Sequence, residues 1–491
     1  MSKERLIDLD AEQLNLLHSI LKQHIPNKTV WAYGSRATWK AKETSDLDLA
    51  VFDCTPMEIY ALKEALEESD LLISVDVMDW QSIPQSFKEN IREKYVVVQE
   101  ETRRPEGWRE VRLGEVAEVN PRETIPKGTK APKVLMDFLV PHTKRIPKCN
   151  LENYKGGSKF RNGDTLVARI TPCLENGKTS FVDFLENDQV GFGSTEFIVL
   201  REKQDITDKH YLYYLAVSDD FRDVAVKSMT GTSGRQRVVT DEILRYKFFL
   251  PELPEQKAIA EVLSSLDDKI DLLHRQNKTL EAMAQALFRK WFVAEPKAYW
   301  QEAPLDSIAD YLNGLACQKF SPENETEKLP VLKIKELRGG FAEGSDWVTS
   351  TVDEKYIVHA GDVIFSWSGS LMLKIWPGQK CVLNQHLFKV TSDSYPKWFF
   401  FFWIKYHLNK FIKIADSKAT TMGHIKRSDL SNSMVLIPDR QDLEKMNSKI
   451  EPKFEKIITN NAQIQNIENL REIFLPKLIS GDVRLRVDHR L

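Results

Sequence analysis

The sequence predicts a multidomain α+β chain, with a small α/β module followed by two α+β domains separated by two long coiled-coil helices. Three observations predict it: an acidic opening that ends at a polar stretch, an internal duplication, and a heptad pattern closing each copy. The length of 491 residues suits about three domains at roughly 100–200 residues each. Hydrophobic residues make up 42% and aromatic residues 10%, enough for packed cores, which excludes a wholly disordered chain. Sixty-nine Lys and Arg against 72 Asp and Glu give a net charge of −3. That excludes a protein coating nucleic acid by bulk charge, but leaves room for local basic surfaces.

The five cysteines (Cys54, Cys149, Cys173, Cys317 and Cys381) form no CxxC pair. This argues against a zinc ribbon or a disulfide framework and suits a reducing, cytoplasmic setting. The charged opening MSKERLIDLDAEQ is unlike a signal peptide. The longest apolar run, WFFFFWI at 398–404, falls far short of the ~20 residues of a membrane span. It reads as a buried helix, as does the aromatic stretch 211–215.

Residues 1–100 are acidic and compact in texture. A helix from Leu6 to Leu21 precedes a strand ending at Gly34. Asp46 and Asp48 stand two apart on the next strand and so share a face. Two carboxylates on one face can hold Mg²⁺, which aligns an attacking oxygen and neutralises a leaving pyrophosphate. Asp76, in the strand-like Leu72–Met78, is the candidate third ligand. Gly34 lets backbone approach a phosphate, and Ser35 offers a hydroxyl to it.

The polar stretch from Gln99 to Gly107 holds Pro105 and reads as a linker. Beyond it, the chain carries the same pattern twice. Gly107-Trp108 through Leu113 and Val116 parallels Tyr299-Trp300 through Leu305 and Ile308. Asn162-Gly163-Asp164 parallels Ala360-Gly361-Asp362, and Tyr211–Val217 parallels Trp398–Ile404. The loop Thr232–Asp241 parallels Thr421–Asp429, and Phe249-Leu250-Pro251 parallels Leu436-Ile437-Pro438. These five anchors keep their order, offset by 187 to 198 residues. A period so long means a duplicated domain, not a solenoid.

Each copy closes on a heptad pattern. Ile259, Leu263, Leu266, Ile270, Leu273, Asn277, Leu280, Ala284, Leu287 and Trp291 keep a 4-3 spacing with one polar member. Met446, Ile450, Lys453, Ile457, Asn460, Ile464, Ile467, Arg471, Phe474 and Leu478 repeat it with more polar interruptions. About 40 residues of helix make a rod of roughly 60 Å. The two helices are expected to pair within the chain and space the halves apart, with a plain helix-bundle core as the other reading. Pro452 and Pro476 obscure where the second helix starts and frays.

Pro254-Glu-Gln-Lys through Leu273, then Asn277–Leu287, resembles the central conserved region of type I restriction–modification specificity subunits. Leu475-Pro-Lys-Leu-Ile-Ser-Gly481 is similar to their second conserved region, and Phe160–Lys178 resembles a recurrent target-recognition sequence. The resemblance covers about 105–485. It implies two target-recognition domains, each reading half of a bipartite site on double-stranded DNA, held apart by two antiparallel helices whose rod docks two modification subunits. Motor and nuclease activity would lie on a restriction subunit. S-adenosylmethionine and ATP would be held by partner subunits alone, with no membrane involved. No P-loop occurs in the chain.

Candidate DNA contacts are Thr232, Ser233, Gly234, Arg235, Gln236 and Arg237 in the first copy, with Arg169, Thr171, Asn176 and Lys178 as a second cluster. Thr420, Thr421, Gly423, His424, Lys426 and Arg427 are their counterparts in the second copy. Arg can bridge guanine O6 and N7, and Gln can bridge adenine N6 and N7. A phosphate contact remains the other reading for each.

Gly34-Ser35, the DxD of Asp46 and Asp48, and the distant Asp76 look like the minimal nucleotidyltransferases of the polymerase-β superfamily. That resemblance implies Mg²⁺ and a nucleoside triphosphate as ligands, and AMP transfer of the kind many such domains perform as antitoxins. The chain has Trp39 where many relatives have Gly. The expected organisation is 1–100 nucleotidyltransferase-like, 101–106 linker, 107–253 first recognition domain, 254–295 central helix, 296–437 second recognition domain and 438–485 C-terminal helix. Two further readings stay open: a nucleotidyltransferase first, delivered to DNA or a partner, or a coiled-coil adaptor that reads no DNA.

Overall fold

The computed structural model describes all residues except 1–6, 27, 43, 100–104, 187, 233, 323–326, 342–343, 418–422 and 486–491. The candidate residues Ser233, Thr420 and Thr421, and most of the expected linker, lie outside the described residues. The chain divides into two compact units, 1–110 and 111–491.

In the first unit, Asp10 caps helix α1 (Ala11–His24), its carboxylate accepting from the Gln13 amide at 2.7 Å. Strand β1 (Val30–Tyr33), the short helix α2 (Gly34–Ala37) and strand β2 (Leu47–Val51) come next. Helix α3 (Pro56–Glu67) opens on a capping box between Thr55 and Glu58. Strand β3 (Val75–Asp79), helix α4 (Gln85–Glu93) and strand β4 (Val96–Gln99) complete the unit. The sheet runs β3-β2-β1-β4. Leu17, Leu21, Val30, Leu47, Leu49 and Leu62 form its core against α1 and α3. The opposite face carries Tyr33, Ala50, Ile83 and Ile91. The alternation of β2, with Leu47, Leu49 and Val51 in the core, places Asp48 on that opposite face.

The second unit shows the duplication as topology. In the first copy, one four-stranded sheet runs Thr179–Phe181, Thr165–Ala168, Phe197–Glu202, Ala117–Val119 in space. In the second copy the corresponding strands Met372–Ile375, Val363–Ser366, Leu387–Thr391 and Asp310–Asn313 run in the same order. A second sheet is likewise repeated, with a parallel central pair in each copy: Lys130–Val134 with Gly191–Gly193, and Lys328–Leu332 with Cys381–Leu383. The Gly-Asp anchors belong to this scaffold. Gly163 and Gly361 sit at φ +95° and +89°, where a side chain is strained. Asp164 and Asp362 each accept from the amide three residues back. Each also pairs with a cation, Arg201 at 2.7 Å and Lys389 at 3.0 Å.

The aromatic runs are buried helices, Lys209–Val217 and Lys397–Ser417. The connecting helices span Leu253–Arg289 and Arg440–Ser480, and the second runs unbroken through Pro452 and Pro476. They pair antiparallel. Asn460 donates to Asn277 at 2.9 Å, and Arg471 pairs with Asp267 at 2.7 Å. Residue numbers rise on one helix as they fall on the other. Ile270, Leu273, Ile464 and Ile467 pack together as the seam. Toward their ends the helices do other work. Ala284 and Phe288 enter the core of the second copy with Met446 and Ile450, while Ile479 packs on the core of the first. One helix therefore leaves the first copy for the second, and the other returns.

Candidate functional site

The acidic site is built on paired strands. Tyr33 on β1 faces Asp48 on β2 in register, and Asp48 faces Asp76 on β3. The three side chains form a row on one face of the sheet. Asp46 lies one residue before β2 and is exposed. Gly34 turns at φ +77°, and a Cβ there would meet Asp48 Oδ2 at 2.3 Å. The backbone of the Gly34-Ser35 turn is thus in contact with the central carboxylate, which any other residue would displace. Burial raises the Asp48 carboxyl above the ordinary carboxylate range, and the charges of Asp76 and Asp46 raise it further. Burial and the same carboxylates, Asp48 then Asp76, push the Tyr33 hydroxyl up to about 12.

A divalent cation would relieve this crowding of negative charge, so the residues fit one. Among the described residues no three His, Cys, Asp and Glu side chains are already gathered to hold an ion. Asp48, Asp76 and Asp46 would hold Mg²⁺, which would supply charge neutralisation at a triphosphate.

Sequence reasoning missed Arg36. Its buried side chain donates to the Asp8 carbonyl at 2.8 Å and the Ser45 carbonyl at 2.9 Å. It therefore anchors the segment that delivers Asp46. Trp39 occupies the left-handed region at φ +56° and is exposed, which accounts for glycine being the easier residue there.

In the first copy of the second unit, two clusters that are separate in sequence are brought together. Ile170 bridges Arg237, and Arg237 exchanges backbone hydrogen bonds with Thr230 at 2.9 and 3.0 Å. The Thr171 amide donates to the Gln236 carbonyl at 3.1 Å, and the Val238 amide to Arg169 at 2.9 Å. The loop is thereby pinned beside the strand end that carries Arg169. Arg237 grips Glu196 with Nε at 3.0 Å and Nη2 at 2.7 Å, holding that carboxyl below its ordinary range. Glu196 had no signal in the sequence, because its role depends on a partner 41 residues away. Among the described residues Arg169 uses Nε alone, on the Val238 carbonyl at 3.2 Å. Thr232, Gly234, Arg235 and Asn176 are exposed. Lys178 turns back to the Met136 carbonyl at 3.1 Å and is mostly covered, so its ammonium serves its own domain.

In the second copy the Ile425 amide donates to Trp367 at 3.0 Å, and Ser368 bridges His424. Gly423 lies so close to the helix before it that a Cβ would meet the Ala415 carbonyl at 2.5 Å. Lys426 N–H donates to Asp429 at 2.8 Å, and Arg427 reaches the Tyr311 carbonyl at 3.1 Å. Of the described candidates here, His424, Lys426 and Arg427 are exposed.

The profile of the type I restriction modification DNA specificity domain matches residues 105–282 and 298–469, well over half of the chain. The chain belongs to that family. In this specificity-family chain, residues 15–104 match the polymerase beta nucleotidyltransferase family, so a nucleotidyltransferase domain is fused ahead of the two specificity domains. The "Type I restriction enzyme MjaIX specificity subunit" of Methanocaldococcus jannaschii is 29% identical over 301 residues, 56% of this chain and 69% of the relative. The "Probable protein adenylyltransferase MntA" of Haemophilus influenzae is 47% identical over 97 residues, 19% of this chain and 85% of the relative. A crystal structure of a type I specificity subunit from M. genitalium aligns over 76% of this chain and 96% of its own, at 14% identity and a TM-score of 0.47. Among the described residues of the specificity-family chain no helix is long and apolar enough to cross a membrane.

Proposed function

We propose that this chain is the DNA sequence-recognition subunit of a type I restriction–modification complex. It reads a bipartite target with residues 107–253 and 296–437 and docks two modification subunits through the helices at 254–295 and 438–485. The observation that carries this is the repeated topology: two equal folds each present a pinned, polar loop at the same strand end, and an antiparallel helix pair ties them together. Two readers on a spacer suit a split site. The residues proposed to meet DNA are Arg169, Thr171, Asn176, Thr232, Ser233, Gly234, Arg235, Gln236 and Arg237, and in the second copy Thr420, Thr421, Gly423, His424, Lys426 and Arg427. S-adenosylmethionine and ATP are assigned to the modification and restriction subunits.

Footprinting of the chain assembled with its modification subunits checks this. Protection of two short segments separated by an unprotected spacer is expected. Protection of one continuous half-site would overturn the bipartite reading.

A second activity is favoured by the Asp76–Asp48–Tyr33 row. Gly34, Ser35, Asp46, Asp48 and Asp76 are proposed to bind Mg²⁺ and a nucleoside triphosphate and to transfer a nucleotide. Transfer of labelled AMP from ATP, lost when Asp46→Asn and Asp48→Asn are combined, is the expected result. No transfer with any nucleotide or metal in the assembled complex would leave the domain a binding role.

A further inference from the structure

The two specificity domains can be aligned by backbone hydrogen bonds rather than by residue type. Val238 N–H donates to the Arg169 carbonyl at 2.9 Å, and Ile425 N–H donates to the Trp367 carbonyl at 3.0 Å. The bridges Ile170↔Arg237 and Ser368↔His424 lie one residue further along each strand and one residue back in each loop. Arg169 therefore corresponds to Trp367, and Arg237 to His424. The strand registers Ala168↔Phe197 and Ser366↔Leu387 make Glu196 correspond to His386.

The same three places in one fold thus hold Arg169, Glu196 and Arg237 in one copy and Trp367, His386 and His424 in the other. The first trio is an ionic fork. Glu196 fixes Arg237 through Nε and Nη2, and among the described residues Arg169 is held through Nε. Both guanidinia keep donors directed by a held plane, which suits a pair of acceptors. The second trio is aromatic, one indole and two imidazoles. The Trp367 ring lies 6.0 Å from His386 and 6.4 Å from His424, and its Nε1 is committed to Asn313 at 3.0 Å. His386 is itself held by Ser368 at 3.1 Å. Trp367 also stacks on Phe388 at 5.8 Å, and what the trio presents is aromatic surface rather than paired donors.

We infer that these three corresponding positions set the base preference of each half-site. Arg169 and Arg237, buttressed by Glu196, read the O6 and N7 acceptors of guanine. Trp367, His386 and His424 read an apolar group, the thymine methyl being the one that the major groove presents. This rests on the DNA-recognition reading above and adds which residues discriminate and what they discriminate.

The test uses the full chain assembled with its modification subunits, its methylated target determined by sequencing, and binding measured on duplexes with single base-analogue changes. Two loop positions are varied, Arg237→Lys and His424→Ala, with thermal melting to confirm folding. Arg237→Lys keeps the charge but loses the fork. It is expected to lower affinity for the target about 10- to 100-fold while leaving binding to a scrambled duplex unchanged. 7-Deazaguanine in the half-site affected by Arg237→Lys should weaken the wild type and not that variant. Uracil for thymine in the other half-site should weaken the wild type and not His424→Ala. A wild-type complex with a clear target that neither variant nor analogue alters, or variants that each disturb both halves, would overturn the inference and leave the recognition reading standing. A wild-type complex with no sequence preference would overturn the recognition reading itself.

Discussion

Asp48 is the residue on which the N-terminal site turns. It stands between Tyr33 and Asp76 in the strand register and against the backbone of Gly34. Its carboxyl is raised, first by burial and then by Asp76 and Asp46. A raised carboxylate contributes stability below its unfolded value, and that contribution is lost as pH rises through the folded value. At neutral pH the ionised group therefore opposes folding of its sheet. Asp48→Asn should slow hydrogen exchange in β1 and β2 at pH 7, and the difference from wild type should vanish below the ordinary carboxylate value of 3.8. Added Mg²⁺ should protect the same strands in the wild type and not in the variant. The acidic residues and the Gly-Ser turn were legible in the sequence, since DxD alternation and a distant Asp are local patterns. Arg36 and Glu196 were not, because each acts through groups distant in the chain.

At the scale of elements, the heptads identified both connecting helices, but their polar members gained meaning only from the antiparallel pairing. Asn277 and Asn460 read as interruptions at different points of the two repeats. In the structure they meet: Asn460 donates to Asn277 at 2.9 Å, and Asn277 donates to Asn461 at 2.7 Å. Asn460 is fully buried. A buried amide pair in a seam penalises any slipped register, which would leave the amides unpaired. Asn277→Leu alone should destabilise the helix pair by about 1–3 kcal/mol, because the buried Asn460 loses its close acceptor and is left with Gln276 Oε1 at 3.5 Å. Adding Asn460→Leu should recover most of that loss. A double-mutant cycle by denaturant unfolding measures the coupling, and additive losses would refute it. The second helix also passes through Pro452 and Pro476 without a break. Its other neighbours hold it: the Asp439 cap, and Asp442 bound by Lys297, Tyr299 and Trp300 at 2.5 to 3.0 Å.

Across the whole molecule, the chain joins a nucleotidyltransferase domain to a duplicated specificity scaffold, and each forms its own compact unit. Charges that nearly cancel in the total are unequally shared, with the acidic excess in the first 100 residues. An acidic unit repels DNA, so affinity has to come from localised loops and from partners. Combining Asp46→Asn with Asp48→Asn should therefore leave the methylated target sequence unchanged, whatever it does to nucleotide transfer. Sequencing of methylated genomic DNA from cells carrying each version checks this, and a changed target would show that the acidic unit takes part in reading.

The sequence by itself determined the number of modules, the existence of the repeat, the connecting helices and the carboxylate set. All of these rest on local periodicity or on short spacings that the chain writes directly. Only the tertiary structure decided which residues stand together at the ends of the repeated strands. A loop closed by backbone hydrogen bonds accepts almost any side chain, so the same fold carries an Arg-Glu-Arg trio in one copy and a Trp-His-His trio in the other. Residue-by-residue comparison of the two copies cannot find that correspondence, whereas the hydrogen-bond register shows it.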